Sequence, residues 1–320
     1  MNFADRLMAV IDKVGTPLCA GLDPVLERLP SPIVDRAFAR RSGPRAAADA
    51  LGQFCLRVMD ALEGMVPAVK LQSACFELYG RHGVAVLEKL VREARRRGFL
   101  VLGDVKRGDI GATAEHYASA YLGGPETAPG RCTAGFGMDA ITVNPYLGPE
   151  AVQPFVRACE RFGAGIFVVV LSSNPGAELF QRGPGRALFE RVAVEVDRWG
   201  ADLVGQCGYS SIGAVVGATR ATEAAGLRRL MPRTPFLLPG VGAQGGEIES
   251  LAPVFDRDGR GGLVTVSRSL IYAHESRPGV RMEAAVRQVA RRLVDQLDSV
   301  REQRRGKRSG SKPAARGRAR

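Results

Sequence analysis

The sequence has few of the residues that mark several common protein classes. Only 6% of its 320 residues are aromatic, and it has one tryptophan. The three histidines are too scattered for a metal triad: His82, His116 and His274. Six cysteines form no CxxC pair, and no apolar run approaches the roughly 20 residues of a membrane span. We therefore expect no metal site, no membrane anchor and a cytoplasmic protein with reduced thiols.

Amphipathic helices are predicted at both ends of the chain. Near the N-terminus, Asp5 and Asp12 interrupt apolar residues that fall at helical spacing, a pattern that favours a helix over a signal peptide: Phe3, Leu7, Met8 and Ile11. From Met282 onward a second helical stripe follows: Val286, Val289, Leu293, Leu297 and Val300.

The net charge of +12 is concentrated in a basic tail. Residues 301–320 hold nine Lys or Arg and one acid, a net +8, which leaves +4 to residues 1–300. A mildly basic body suits a small anionic substrate. The tail can bury almost nothing, so we predict a catalytic domain over 1–300 and a disordered extension over 301–320. Such a tail would contact nucleic acid only non-specifically, and the alternative is a solvated extension.

Eight short apolar runs alternate with segments of helical periodicity, which predicts an α/β fold with a parallel sheet covered by helices. Eight such units close a (β/α)8 TIM barrel, and a doubly wound open sheet is the alternative. The predicted strands lie at residues 16–23, 68–72, 99–106, 140–145, 165–173, 203–209, 236–242 and 263–269.

The stretch "GDVKRGDIGAT" sets four charges at the end of the third predicted strand. Asp104 and Lys106 are two residues apart and point to one face, while Arg107 points to the other. Asp109 lies just beyond, and Lys70 arrives from the neighbouring strand. Alternating cations and anions keep each other ionised away from bulk water. We interpret this array as catalytic, and a structural salt-bridge network is the alternative reading.

The stretch "LPGVGAQGG" follows the seventh predicted strand, and Arg268 follows the eighth. Barrels commonly bind phosphate at these two loops. We therefore predict that Gly240, Gly242 and Gln244 contact a phosphate that Arg268 clamps; the alternative is that the glycines only make a tight turn. A dinucleotide fingerprint is excluded, because no acidic residue follows about 20 positions later.

Two further strand ends carry polar residues. Ser172 and Ser173 have no obvious His/Asp partners, so they are predicted to orient a ligand rather than to form a hydrolase triad. Asn144 either contacts the ligand or serves only a turn.

Taken in order, these motifs resemble the orotidine 5'-phosphate decarboxylase family in its bacterial type 2 branch. The resemblance covers residues 1 to about 290, on the segments "GLDP", "VKLQ", "DVKRGDIGAT", "VNPYLG", "LSSNPGA", "PGVGAQGG" and "SRSLIYA". It implies decarboxylation of orotidine 5'-phosphate to UMP, without a cofactor. It also implies a homodimer with shared active sites, in which Asp109 and Thr113 reach the partner's site.

The resemblance further assigns roles to single residues. Lys106 would protonate C6 of the pyrimidine, Asp104 would lie beside the departing carboxylate, and Lys70 would bridge to the ribose. Asp23 would hold a ribose hydroxyl, and Ser172 the pyrimidine amide. The alternative function is that of the magnesium-dependent sugar-phosphate lyases and decarboxylases with the same barrel, which carry an acidic metal ligand where this chain has Lys70.

Overall fold

The computed structural model describes residues 1–124, 126–128, 131–132, 135–183, 185–242 and 245–306. Its strands are β1 (Leu18–Leu22), β2 (Ala68–Gln72), β3 (Leu100–Arg107), β4 (Glu126–Ala128), β5 (Arg131–Cys132), β6 (Ala140–Val143), β7 (Gly165–Leu171), β8 (Ile212–Val216), β9 (Phe236–Pro239) and β10 (Gly262–Val266). Its α-helices are α1 (Phe3–Val14), α2 (Ser31–Phe38), α3 (Gly43–Leu62), α4 (Ser73–Glu77), α5 (Gly80–Arg96), α6 (Gly111–Leu122), α7 (Pro149–Phe162), α8 (Glu178–Gln181), α9 (Leu188–Trp199), α10 (Ala221–Leu230), α11 (Arg268–Ile271) and α12 (Met282–Gly306).

Eight of these strands form a closed barrel in the order β1-β10-β9-β8-β7-β6-β3-β2, while β4 and β5 pair antiparallel outside it. Every neighbouring pair in the barrel is parallel. The strands are buried along almost their whole length, because side chains fill the inside and helices cover the outside. The predicted (β/α)8 barrel is confirmed, and the open-sheet alternative is wrong.

The predicted N-terminal amphipathic helix is confirmed as α1, and it closes the N-terminal end of the barrel. Its buried residues pack with inward-facing strand residues in a core distinct from the one between strands and outer helices. The rings of Phe3 and Phe167 meet edge to face at 5.9 Å. A side chain at Gly165 would lie 2.2 Å from the Phe3 ring, so only glycine permits this approach. With this end sealed by apolar packing, the open end of the barrel lies at the carboxyl ends of the strands.

The sixth barrel strand differs from the prediction. The strand is Ile212–Val216, whereas residues 203–209 form a turn in which the N–H of Gly205 donates to the carbonyl of Tyr209. The strand at Ile212–Val216 is harder to recognise in the sequence because Gly213 interrupts its run of apolar residues. That glycine is required, since a Cβ there would lie 2.4 Å from the Phe167 ring inside the barrel.

The last helix continues past the predicted domain boundary at residue 300. Helix α12 runs to Gly306, and the apolar stripe that predicted this helix is buried against the rest of the protein. Arg301 is buried too, and its guanidinium donates to the carbonyls of Gly15 (2.5 Å) and Gly259 (2.8 Å). Residues 307–320 lie outside the described residues. Among the helices that are described, none combines the length and apolar content that crossing a membrane takes.

Candidate active site

A cavity of about 300 Å³ opens at the carboxyl ends of the barrel strands. Its floor is made by apolar side chains of the barrel interior, and charged or polar residues from several strand ends surround its mouth. The residues lining it are Asp23, Lys70, Gln72, Asp104, Lys106, Thr142, Val169, Leu171, Ser172, Ser173, Asn174, Val215, Leu237, Pro239, Gly240, Val241, Thr265, Ser267 and Arg268.

Asp104 is the centre of the charged array that the sequence predicts. One carboxylate oxygen, Oδ2, accepts a hydrogen bond from Nζ of Lys70 at 2.7 Å, and the other, Oδ1, accepts one from Nζ of Lys106 at 2.5 Å. Nζ of Lys70 also lies 3.7 Å from Oδ1 of Asp23. Charges of opposite sign therefore alternate across the cavity in the sequence Asp23, Lys70, Asp104, Lys106.

The two lysines differ in their surroundings. Lys70 is 3% exposed, whereas the side chain of Lys106 is 52% exposed and its Nζ faces the open cavity. Burial would lower the pKa of Lys70, but the carboxylates of Asp23 and Asp104 outweigh it and raise that pKa above its usual value. Lys70 is therefore a fixed cation, and Lys106 is the cation that can reach a ligand.

The same contacts keep Asp104 ionised. Burial would raise the pKa of its carboxyl group, but the ammonium groups of Lys70 and Lys106 lower that pKa well below its usual range. A carboxylate taken out of water in this way is stabilised by its cationic partners. Asp104 thus holds a full negative charge at the cavity wall over the physiological pH range.

Strand geometry explains which charges enter the cavity. Asp104 and Lys106 lie two apart on β3, and both side chains point into the cavity, as predicted. Arg107 points to the outer side, where its guanidinium donates to Glu77 (2.5 Å) and to the hydroxyl of Tyr121 (3.0 Å). The prediction that Arg107 stays out of the array is confirmed.

Among the described residues of the cavity wall, two buried polar atoms have no hydrogen-bond partner: Oδ1 of Asp23 and Oγ1 of Thr265. Buried polar groups are usually hydrogen-bonded in folded proteins, so these two atoms are available to bond water or a ligand in the cavity. Within the described residues, no group of three or more His, Cys, Asp or Glu side chains is placed to hold a metal ion.

Ser172 follows β7 and lines the cavity, as predicted for a residue that orients a ligand. Gln181 holds it from both sides: its Oε1 accepts from the backbone N–H of Ser172 (2.9 Å), and its Nε2 donates to the hydroxyl (3.1 Å). Sequence reasoning missed Gln181, because it lies on the short helix α8, outside any strand end.

The described part of the glycine loop after β9 lies only partly in the cavity wall. Gly240 and Arg268 line the cavity, whereas Gly242 does not, and its N–H donates to the carbonyl of Gly246 within the loop (3.0 Å). Gly240 and Gly242 both have positive φ, as a tight turn requires. Gln244 lies outside the described residues.

Three predicted residues lie away from this cavity. Asn144 is exposed and its Oδ1 accepts from the N–H of Tyr146 (3.0 Å), so in this chain it serves the turn after β6. Oδ1 of Asp109 accepts from the N–H of Ile110 (2.8 Å), and Thr113 is exposed on the first turn of α6. Neither Asp109 nor Thr113 reaches the cavity of its own subunit.

The model of the orotidine 5'-phosphate decarboxylase / HUMPS family matches residues 16–282, most of the chain. The chain belongs to this family. A protein of Rhodopirellula baltica named orotidine 5'-phosphate decarboxylase is 42% identical over 277 residues, which cover 86% of this chain and 90% of that protein. One of the same name from Caldicellulosiruptor saccharolyticus is 42% identical over 280 residues, covering 86% and 91%.

Solved structures agree with this membership of the orotidine 5'-phosphate decarboxylase / HUMPS family. The structure of the Leishmania donovani OMP decarboxylase is 29% identical to this chain and superposes with a TM-score of 0.72. The superposition covers 94% of this chain and all of that one. The resemblance read from the ordered motifs is therefore confirmed at the level of the family and of the barrel.

Three polar cavity residues that lie within strands were not among those predicted: Gln72, Thr142 and Thr265. Nε2 of Gln72 donates to Oδ2 of Asp104 at 3.3 Å. Each is a polar residue inside a strand that otherwise reads as apolar. The period of two offered a signal for Gln72, since it shares a face with Lys70.

Proposed function

We propose that the chain converts orotidine 5'-phosphate to UMP and CO2. The observation that carries this proposal is the exposed ammonium of Lys106, held at 2.5 Å by a carboxylate that Lys70 also binds. Breaking the bond between C6 and the carboxylate releases CO2 and leaves an electron pair on C6. A proton then passes from Nζ of Lys106 to C6, and water restores the ammonium.

The stabilisation of that carbanion is electrostatic. C6 of the pyrimidine has no carbonyl placed to delocalise the electron pair, so a fixed positive charge must stabilise it. Asp104 keeps Lys106 oriented, and Lys70 keeps Asp104 ionised. Because these groups are in place before the reaction, little reorganisation is needed as negative charge develops.

Other cavity residues would hold the parts of the substrate that do not react. Oδ1 of Asp23, which accepts no hydrogen bond from the protein, would accept one from a ribose hydroxyl, and Ser172 would contact the pyrimidine amide. Arg268, with the backbone near Gly240, would clamp the phosphate. Binding energy from the phosphate then holds the ring against Lys106.

We further propose a homodimer in which Asp109 and Thr113 complete the partner's site. A shallow groove beside them is lined by Ile110, Gly111, Pro149 and Gln153, and Ile110 is 58% exposed. An exposed apolar side chain between two polar residues with no role in their own cavity suits a contact with a second copy of the chain.

We also propose that the enzyme works in the cytoplasm. Five cysteines are free thiols in the described part of the chain, and three of these are buried at barrel or helix positions: Cys19, Cys55 and Cys159. Chains with unpaired thiols suit a reducing compartment.

The alternative is a magnesium-dependent sugar-phosphate lyase or decarboxylase with the same barrel. Such an enzyme needs an acidic metal ligand at the end of the second strand, where this chain has Lys70. An ammonium there repels Mg²⁺.

The deciding experiment is a spectrophotometric assay with orotidine 5'-phosphate, with and without EDTA. We expect the orotidine absorbance to decay at the same rate in both. No turnover of orotidine 5'-phosphate would refute the proposed activity. Turnover that stops with EDTA and returns with Mg²⁺ would contradict the metal-free stabilisation proposed here.

A further inference from the structure

Strand β3 contains a bulge at the charged array. Its pairing with β6 joins Gly103 to Ile141 and then Arg107 to Val143. Three residues of β3, 104 to 106, therefore stand opposite Thr142 alone. A bulge takes backbone N–H groups out of the regular ladder, and such groups need other partners when buried.

The hydroxyl of Thr142 supplies those partners. Its oxygen accepts from the N–H of Val105 at 3.0 Å and from the N–H of Lys106 at 2.9 Å. Lys106 has φ of +42°, the only positive φ at a non-glycine residue in the part of the chain that the structure describes. This backbone conformation is unfavourable for a lysine and persists only where its surroundings hold it.

The same hydroxyl also orients the carboxylate. It donates to Oδ1 of Asp104 at 3.1 Å, the oxygen that accepts from Nζ of Lys106. A threonine hydroxyl has one hydrogen to donate and two lone pairs, so these contacts use its whole capacity. The hydroxyl of Thr142 therefore has no hydrogen-bonding capacity left for a substrate, and the residue is only 2% exposed.

We propose that Thr142 is a positioning residue for decarboxylation. Its hydroxyl sets the backbone of Lys106 and the carboxylate of Asp104 at the same time, so that the ammonium faces C6 when the substrate is bound. This inference rests on the roles proposed above for Lys106 and Asp104.

The test compares Thr142→Val, which keeps the shape but removes the hydroxyl, with Thr142→Ser, which keeps the hydroxyl. The valine variant should lose roughly 10- to 100-fold in kcat, because small misplacements of catalytic groups cost about that much. Its KM, and its affinity for UMP measured by calorimetry, should stay within about threefold of wild type. The serine variant should recover most of kcat.

Thr16→Val is the matched control, because it removes another buried hydroxyl that accepts from a backbone N–H, that of Leu18, at the sealed end of the barrel. It should lower Tm and leave kcat unchanged. A folded Thr142→Val with wild-type kcat, or a Thr142→Ser as slow as the valine variant, would overturn the proposal. If Thr142→Val does not fold, Thr142→Ala is judged by the same criteria.

Lys106→Ala, measured alongside, separates the two proposals. Retained turnover in Lys106→Ala would refute the role of Lys106 itself. Lost turnover in Lys106→Ala together with unchanged kcat in Thr142→Val would refute only the role of Thr142.

Discussion

Nζ of Lys106 lies 2.5 Å from Oδ1 of Asp104, although Lys106 is half exposed and Asp104 is largely buried. The buried carboxylate thus anchors a cation that extends into the cavity. Because Oδ2 of Asp104 is bound by Lys70, the carboxylate turns its second oxygen toward Lys106.

Lys106→Ala should lower turnover of orotidine 5'-phosphate by about 10³-fold or more, since it removes both the proton donor and the charge that stabilises the carbanion. Far-UV circular dichroism should remain that of the wild type, because the side chain is half exposed. Lys89→Ala is the matched control, since Lys89 is an exposed lysine on α5 outside the cavity. Full activity of Lys106→Ala would remove the central role given to this lysine.

Mixing Lys106→Ala with Asp109→Ala should restore activity if sites are shared between subunits. Random pairing makes half of the dimers mixed, and each mixed dimer has one site with both residues, so about a quarter of wild-type activity is expected. Lys106→Ala mixed with Asp104→Ala is the control, because both residues come from one subunit and no site is repaired. Absence of recovery in verified mixed dimers would contradict the shared site.

Acid should weaken the folded state through Asp104. Its pKa is lowered in the folded chain, so the unfolded chain takes up a proton first, at about pH 4. The stability contributed by Asp104 is therefore present above about pH 4 and is lost as the pH falls toward the lower folded pKa, by up to about 1.4 kcal/mol per pH unit.

Urea unfolding of the wild type and of Asp104→Asn between pH 3 and pH 8 measures this effect. The difference in unfolding free energy between the two proteins should be constant from about pH 5 to 8. Below about pH 4 the wild type should lose stability relative to Asp104→Asn. A difference that stays constant down to pH 3 would show that Asp104 is not held ionised by its neighbours.

Removal of residues 307–320 should leave both turnover and stability unchanged, because these residues lie beyond the end of α12. Removal of residues 301–320, by contrast, should lower the free energy of unfolding by about 2 kcal/mol or more. This larger truncation removes Arg301 and its charged hydrogen bonds to the carbonyls of Gly15 and Gly259. Thermal unfolding and the decarboxylase assay on both truncations measure the two effects. A large loss of kcat on removal of 307–320 would give the tail a catalytic role.

Much of the site was predictable because its signals are local. Charged residues that end an apolar run indicate the open end of a barrel, and the period of two places Asp104 and Lys106 on one face. The order of the motifs along the chain also indicated the family. The role of a residue was harder to predict where it depends on a neighbouring strand. Asn144 was a candidate but lies in a turn, whereas Thr142 was not a candidate but lines the cavity.

The sequence by itself determined the barrel class and the residue types of the charged array, because strand periodicity and strand-end polarity are properties of short segments. Only the tertiary structure decided that Thr142 and not Asn144 enters the cavity, that the sixth strand begins at Ile212, and that Gln181 holds Ser172. Strand register, bulges and contacts between distant segments depend on how whole elements pack, and no short stretch of sequence contains that information.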